Sequence, residues 1–355
     1  MKKLIVMAIA AAGVFSVQAQ QDCKALYKQA EDLDKAFNKE RIANGSKVSP
    51  EAAMSLLNAY DLYMQVVECE KMPDAKGKVS DALTKKIDKA LKTHYQQDDF
   101  MIAGVTLYNA DKHYPEAYNA FMRSGYGAIE LGTKQDTVYA VDFYNAGNSA
   151  FGKDFKAAAK AYTEARKANI KDPQAYVYNI ASLQNIAAQD TTYNAYADIY
   201  EIASEGVKKF GASNDYIFAN YIQNYLDNNK YDDAVNILND LATKEPTNAN
   251  IYRLRAIVNN ANHKYDQAIP DFQKVAELSD NFEYVRDAAN NINKIAKFKM
   301  GQINNATPQQ KSEIIGYFNA AMEIANKAKG LKDANGSIDS IIEDIDYNLQ
   351  NANKL

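Results

Sequence analysis

Three histidines and two cysteines are the residues of this chain best suited to chemistry, and their spacing limits what that chemistry is. His94, His113 and His263 lie far apart. None is paired at the one-turn spacing that sets two imidazoles on the same helix face to hold a metal ion. They read as ordinary surface or loop histidines. Two cysteines cannot build a zinc quartet. No glycine-rich phosphate loop, serine elbow or His-Glu-x-x-His helix occurs. Adjacent acids such as Asp98-Asp99, Asp232-Asp233 and Glu343-Asp344 fall at helix starts or on polar faces, where they complement the helix dipole or face water. The expectation is a chain without a catalytic constellation, metal or cofactor, and therefore not an enzyme.

The cysteines have a different use. Cys23 and Cys69 bracket two helical stretches, about 23–43 and 51–69, separated by Asn44-Gly45-Ser46 and restarted by Ser49-Pro50. Serine is a good N-cap and proline suits the first helical position. Two antiparallel helices of about 20 residues, rising 1.5 Å per residue, bring the start of the first beside the end of the second. That juxtaposition predicts a Cys23–Cys69 disulfide, which requires an oxidising compartment.

The first residues fit such a compartment. Lys2 and Lys3 precede an apolar run from Leu4 to Val17, followed by Val17-Gln18-Ala19. This is the layout of a secretory signal peptide cut after Ala19, and the run of about 14 residues is short of the roughly 20 a spanning helix needs. Residues 1–19 are therefore set apart from the fold. The mature chain is expected to be exported, periplasmic or secreted, without a transmembrane span and with association to the envelope open to it. The net charge of −4 over the full sequence, more negative still without Lys2 and Lys3, offers no basic field for nucleic acid.

These few reactive residues sit on helices. The chain of 355 residues has only seven prolines and fifteen glycines, and apolar residues recur at three- and four-residue spacing with no sustained alternation. Breaks such as Met72-Pro73-Asp74, Lys171-Asp172-Pro173, Gly211-Ala212-Ser213 and Glu245-Pro246-Thr247 leave segments of ordinary helix length. Thr307-Pro308-Gln309-Gln310 predicts a helix start with a capping box. The fold class is all-α.

The helices also echo one another. Tyr144-Asn145-Ala146-Gly147-Asn148 returns as Tyr178-Asn179-Ile180-Ala181-Ser182, and Tyr231-Asp232-Asp233-Ala234 as Tyr265-Asp266-Gln267-Ala268. Behind the second type of aromatic, further residues follow along one helical stripe. Phe155 has Ala158, Tyr162 and Ala165; Tyr231 has Ala234, Leu238 and Leu241; Tyr265 has Ala268, Phe272 and Val275. Tyr114 has Ala117 and Phe121, and Tyr193 has Tyr200 and Ala203. Small residues at Gly147 and Ala181 are expected where two helices cross, with an aromatic filling the space beside them. Pro270 lies past the first turn of its helix and is expected to kink it or remove an internal hydrogen bond.

These residues resemble the tetratricopeptide repeats over roughly residues 96–281, with five second helices starting near Tyr114, Phe155, Tyr193, Tyr231 and Tyr265. The chain departs from the family in lacking tryptophan, in carrying Tyr196 where an alanine belongs, and in keeping the family period only over its last interval. The resemblance implies an α-solenoid of antiparallel helix pairs forming a right-handed superhelix. Residues 20–95 would be an N-terminal helical extension or cap. The stripes Ile314, Ile315, Phe318, Met322, Ala325 and Ile338, Ile341, Ile342, Ile345, Leu349 would belong to C-terminal capping helices over 282–355.

The resemblance further implies a concave groove lined by the first helices. Tyr144, Asn148, Tyr178, Ser182, Gln223 and Arg253 would face it, with Asn145 and Asn179 nearby. Some family members clamp a partner's terminal carboxylate there, but Tyr144 stands where that clamp has a lysine. The expected function is a non-enzymatic scaffold or adaptor of the cell envelope that binds a partner protein or peptide. The alternative is a carbohydrate- or envelope-polymer-binding module that uses exposed tyrosines, although the bulk of the 25 tyrosines are expected on packing stripes.

Overall fold

A computed structural model of the chain describes residues 23–72, 79–110, 112–132, 137–303 and 305–355. The expected signal segment, with its expected cleavage after Ala19, lies outside the described residues. Among the described residues every regular element is a helix. The chain divides into two compact units, the first ending at Ile186 and the second beginning at Ala187.

The first unit holds α1 (Cys23–Asn44), α2 (Pro50–Glu70), α3 (Ala82–Gln96), α4 (Asp99–Asn109), α5 (Tyr114–Glu130), α6 (Thr137–Ala150), α7 (Phe155–Lys167) and nearly all of α8 (Gln174–Gln189). Consecutive helices pack as pairs, α1 on α2, α4 on α5 and α6 on α7, and their short connections make neighbours antiparallel. The second unit holds α9 (Tyr196–Phe210), α10 (Asp215–Asp227), α11 (Tyr231–Lys244), α12 (Ala249–Ala261), α13 (Tyr265–Leu278), α14 (Phe282–Gly301), α15 (Pro308–Lys329) and α16 (Ser337–Ala352). There α9 packs on α10, α11 and α13 on α12, and α15 on both α14 and α16. Each unit is thus an α-solenoid of paired helices.

Sequence and local chemistry account for the helix ends. Ser49 caps α2 by accepting from the Ala52 amide, with Pro50 in the first turn. Thr307 and Gln310 form a full capping box at α15. Cys23 and Cys69 are joined, their Cα atoms 5.9 Å apart. One residue further on, the Glu70 carboxylate caps α3 by accepting from the Leu83 and Thr84 amides at 3.0 and 2.7 Å. The end of the disulfide-bonded hairpin is therefore tied to the start of α3 by side-chain chemistry.

The small residues mark helix crossings. A Cβ on Gly147 would stand 2.4 Å from the ring of Tyr162, and one on Gly104 would stand 2.7 Å from that of Phe121. Both are contacts between the helices of one pair, α6 with α7 and α4 with α5. Ala158, Tyr162 and Ala165 are fully buried along one stripe of α7. In the second unit, fully buried Ala256 belongs to the same core as Phe272. The stripes of α15 and α16 fill that core too, with Ile314, Phe318, Ala325, Ile338 and Ile345 buried.

One expectation about elements is corrected. Tyr193 does not start a helix: α9 begins at Tyr196, and Tyr193 lies in the preceding turn, its hydroxyl donating to Asp198 at 2.7 Å. Tyr200 and Ala203 remain on α9, with Ala203 fully buried. Pro270, expected to kink its helix or remove an internal hydrogen bond, lies inside α13, which runs from Tyr265 to Leu278. Proline has no N–H, so the Asp266 carbonyl one turn back lacks its ordinary partner.

Candidate functional site: a tyrosine-asparagine face and a buried charge network

Three tyrosines from three alternate helices converge in the first unit. Tyr108 ends α4, Tyr144 lies mid-α6 and Tyr178 lies early in α8. All three stand close enough to the buried Tyr162 hydroxyl to disfavour its ionisation, after the larger effect of burial itself. The rings of Tyr144 and Tyr178 each lie 5.9 Å from that of Tyr162. Phe151 packs on Tyr178 at 5.0 Å. Tyr162 donates to Asn148 Oδ1 at 2.8 Å, so a buried phenol has its polar atom satisfied.

Outward from this cluster, helical spacing sets up a face. Val141, Tyr144, Asn145 and Asn148 occupy one side of α6. Val141 is 43% exposed and the other three are half-buried. On α4, Val105 and Tyr108 are 42% and 41% exposed. Asn185 is exposed on α8, two turns beyond Tyr178. Charge reaches the cluster from the loops: Asp172 raises the Tyr144 pKa, after burial, and Lys153 lies 3.9 Å over the Tyr114 ring.

The residues expected to line a groove therefore separate. Tyr144, Asn148 and Tyr178 come together, with Asn145 beside them. Asn179 and Ser182 do not share that face, since both are fully buried. Asn179 donates to Thr163 Oγ1 on α7 at 3.1 Å, and Ser182 donates to the Tyr178 carbonyl at 2.7 Å. The reason is helical phase: one residue of rotation past Tyr178 turns Asn179 into the α7 contact, and Ser182 follows it. Gln223 and Arg253 belong to the second unit. There Gln223 donates to Asp227 at 2.7 Å. Arg253 bonds Asn250 Oδ1 and stacks over Tyr284 at 4.7 Å. The Tyr284 hydroxyl crosses from α14 to bond Asp215 at the start of α10.

The sequence reading placed His94 at the surface; the structure buries it. His94 is 2% exposed, with Nε2 on Asp34 at 2.9 Å and Nδ1 on Asp99 at 2.8 Å. Tyr63 donates to Asp34 at 2.9 Å and Arg41 Nε to Asp99 at 2.8 Å. The chain reverses through Asp98, held at φ +56°, and this turn returns Asp99 to the imidazole five residues back. Asp99, expected at a helix start or on a polar face, does open α4 but is fully buried. Burial opposes the imidazolium, but the bonds and charges of Asp34 and Asp99 overrule it and push the His94 pKa up to about 9. Both ring nitrogens are committed to carboxylates. Neither remains to bind a metal or take a proton from a substrate, so the network joins α1, α2, α3 and α4 structurally. A sequence signal did exist: His94 shares the buried face of Ile87 and Leu91 at helical spacing.

His113 is half-buried and His263 exposed, as expected. A shallow depression of about 320 Å³ lined by His263, Tyr265 and Lys299 lies in the second unit. Lys299 is already neutralised there by Asp266 and Glu313, at 2.9 and 2.6 Å. Among the described residues, no group of three or more His, Cys, Asp or Glu side chains is arranged to hold a metal ion. No helix among them is long and apolar enough to cross a membrane.

No protein-family model matches the chain, and no curated protein does. Among solved structures, a human IFIT1 dimer with m7Gppp-AAAA is similar at 13% identity over 90% of this chain and 89% of that one, with a TM-score of 0.30. A human IFIT1 dimer with PPP-AAAA gives 12%, 94%, 91% and 0.24. A chain from the computational design of self-assembling cyclic protein homooligomers gives 13%, 94%, 96% and 0.14. At these scores the likeness transfers nothing about those proteins to this chain.

Proposed function

We propose that this chain is an exported, non-enzymatic scaffold of the cell envelope, built from divergent tetratricopeptide-like helix pairs, that binds a partner protein or peptide. The observation carrying this reading is the row of part-exposed aromatic and amide side chains at Tyr108, Tyr144, Asn145 and Tyr178. It is set on rigid helices over a packed tyrosine core. A surface fixed in this way loses little conformational freedom on binding, which favours affinity. Export is supported by the Cys23–Cys69 bridge and by the Lys2-Lys3 and apolar leader of the sequence.

The test is affinity capture of the mature chain from its native envelope fraction, with captured proteins identified by mass spectrometry. Replacing Tyr108 and Tyr144 together by alanine removes the capture if this face is the site. Retention of the same partner by the double variant, with its helicity unchanged, moves the site elsewhere.

A further inference from the structure

The helices that carry the tyrosine row share an unusual property. At the chain's 24% charged residues, α4, α6 and α8, of 11, 14 and 16 residues, would together carry about ten charges. They carry two, Asp99 and Asp142, and both are buried. Their partner helices differ. Glu116, Arg123 and Glu130 lie on α5, and Lys156, Lys160, Glu164, Arg166 and Lys167 on α7. Helices α4, α6 and α8 thus put no charged side chain of their own into water. What they expose is valine, tyrosine, asparagine and other neutral side chains.

We propose that this face binds an uncharged, extended polypeptide segment of the partner, an assignment that rests on the scaffold reading above. A lysine or glutamate pressed against it would lose hydration with no opposite charge on these helices to replace it. A neutral segment loses only main-chain hydrogen bonds, which tyrosine hydroxyls and asparagine amides restore. Its apolar side chains cover Val105, Val141 and the tyrosine rings. Val105 and Val141, part-exposed beside the rings, offer aliphatic side chains a match that a glycan's hydroxyls do not find there.

Two measurements on the full mature chain test this. In the first, labelled peptides of about eight residues alternating Val or Tyr with Asn or Thr are titrated by fluorescence anisotropy, beside variants carrying one central Lys or Glu. The neutral peptides should bind with a Kd that moves less than about twofold between low and high salt. One central charge should weaken binding at least about tenfold, as should Val141→Lys with unchanged helicity and Tm. Charged peptides that bind as well as neutral ones overturn the proposal, as do neutral oligosaccharides that bind where no peptide does. In the second, a photo-crosslinker at position 141 identifies the partner segment in the native envelope. A neutral segment supports the assignment. A charged one overturns it and leaves the scaffold reading standing, while no protein adduct at all, beside a partner still captured, removes this face as the site.

Discussion

Tyr162 on α7 fills the space that a side chain on Gly147 of α6 would occupy, with the ring atoms 2.4–2.7 Å from where a Cβ would stand. The ring cannot easily yield, because it is fully buried and its hydroxyl is held by Asn148. Gly147→Ala should therefore destabilise the first unit by about 1–3 kcal/mol even though alanine is the better helix former. Gly316 is the control: it lies inside α15 with nothing near its missing Cβ. Gly316→Ala should stabilise by about 0.5–1 kcal/mol. Thermal unfolding of both variants reads the contrast, and a Gly147→Ala protein as stable as the parent would remove the crossing argument.

The His94 network makes stability depend on pH. Its pKa is raised from 6.5 to about 9, so the stabilisation is full below the unfolded value and is lost as pH rises from about 6.5 through 9. Asp34 shifts the other way: burial raises it, but His94, Tyr63 and Asn38 together hold it below the ordinary carboxylate range. Its contribution is present above about pH 4 and fades as pH falls through the lowered folded value. The His94 step is worth about 3 kcal/mol at most. His94→Gln, which leaves buried Asp34 without its cation and Asp99 with Arg41 alone, should cost several kcal/mol near pH 6, about 3–5 on general grounds. The deficit should shrink toward pH 10. Denaturant titrations across pH check this, and a constant deficit would sink it.

Asp142 presents the opposite case. Burial, opposed by a bond from Ser124 and assisted by the charge of Asp98, raises its carboxyl to about 7. A carboxyl whose folded pKa is raised stabilises below its unfolded value and loses that advantage as pH climbs through 7. Asp142→Asn keeps an acceptor for the Ser124 hydroxyl, 2.8 Å away, and has no charge to bury. It should raise stability by about 1–3 kcal/mol at pH 8 and change it little at pH 4. Equal effects at the two pH values would count against the buried ionisation.

What the sequence made legible was local. The stripe Ala158, Tyr162, Ala165 and its complement Gly147 announce a crossing, because packing there is decided by residue size at helical spacing. Ser49, Pro50, Thr307 and Gln310 act within one turn of chain, and the cysteine pair follows from two helix lengths. What stayed hidden depends on tertiary arrangement. Asp34, Tyr63, His94 and Asp99 meet only once four helices are in place, and nothing in their spacing pairs them. Asn179 and Ser182 were misplaced through helical phase, since a shift of one residue exchanges a surface for an interface. The scarcity of charge on α4, α6 and α8 was present in the residues, but it gained meaning only when Asp99 and Asp142 proved to be buried.

The disulfide supplies the last prediction. Cys23 and Cys69 are 46 residues apart, and a covalent link across a loop of that size stabilises by about 4 kcal/mol in the chain-entropy account. The bridge ties the start of α1 to the end of α2, one residue before Glu70, whose carboxylate caps α3. Reduction should therefore loosen more than one hairpin. Hydrogen exchange should accelerate in α1, at the end of α2 and in the first turn of α3, where the Glu70 bonds are made. Glu70→Gln in the oxidised protein should accelerate exchange at Leu83 and Thr84 alone. The unreduced, denatured chain should contain no thiol reactive to a labelling reagent. Exchange that rises only at Cys23 and Cys69 after reduction would show that the cap on α3 stands independently of the bridge.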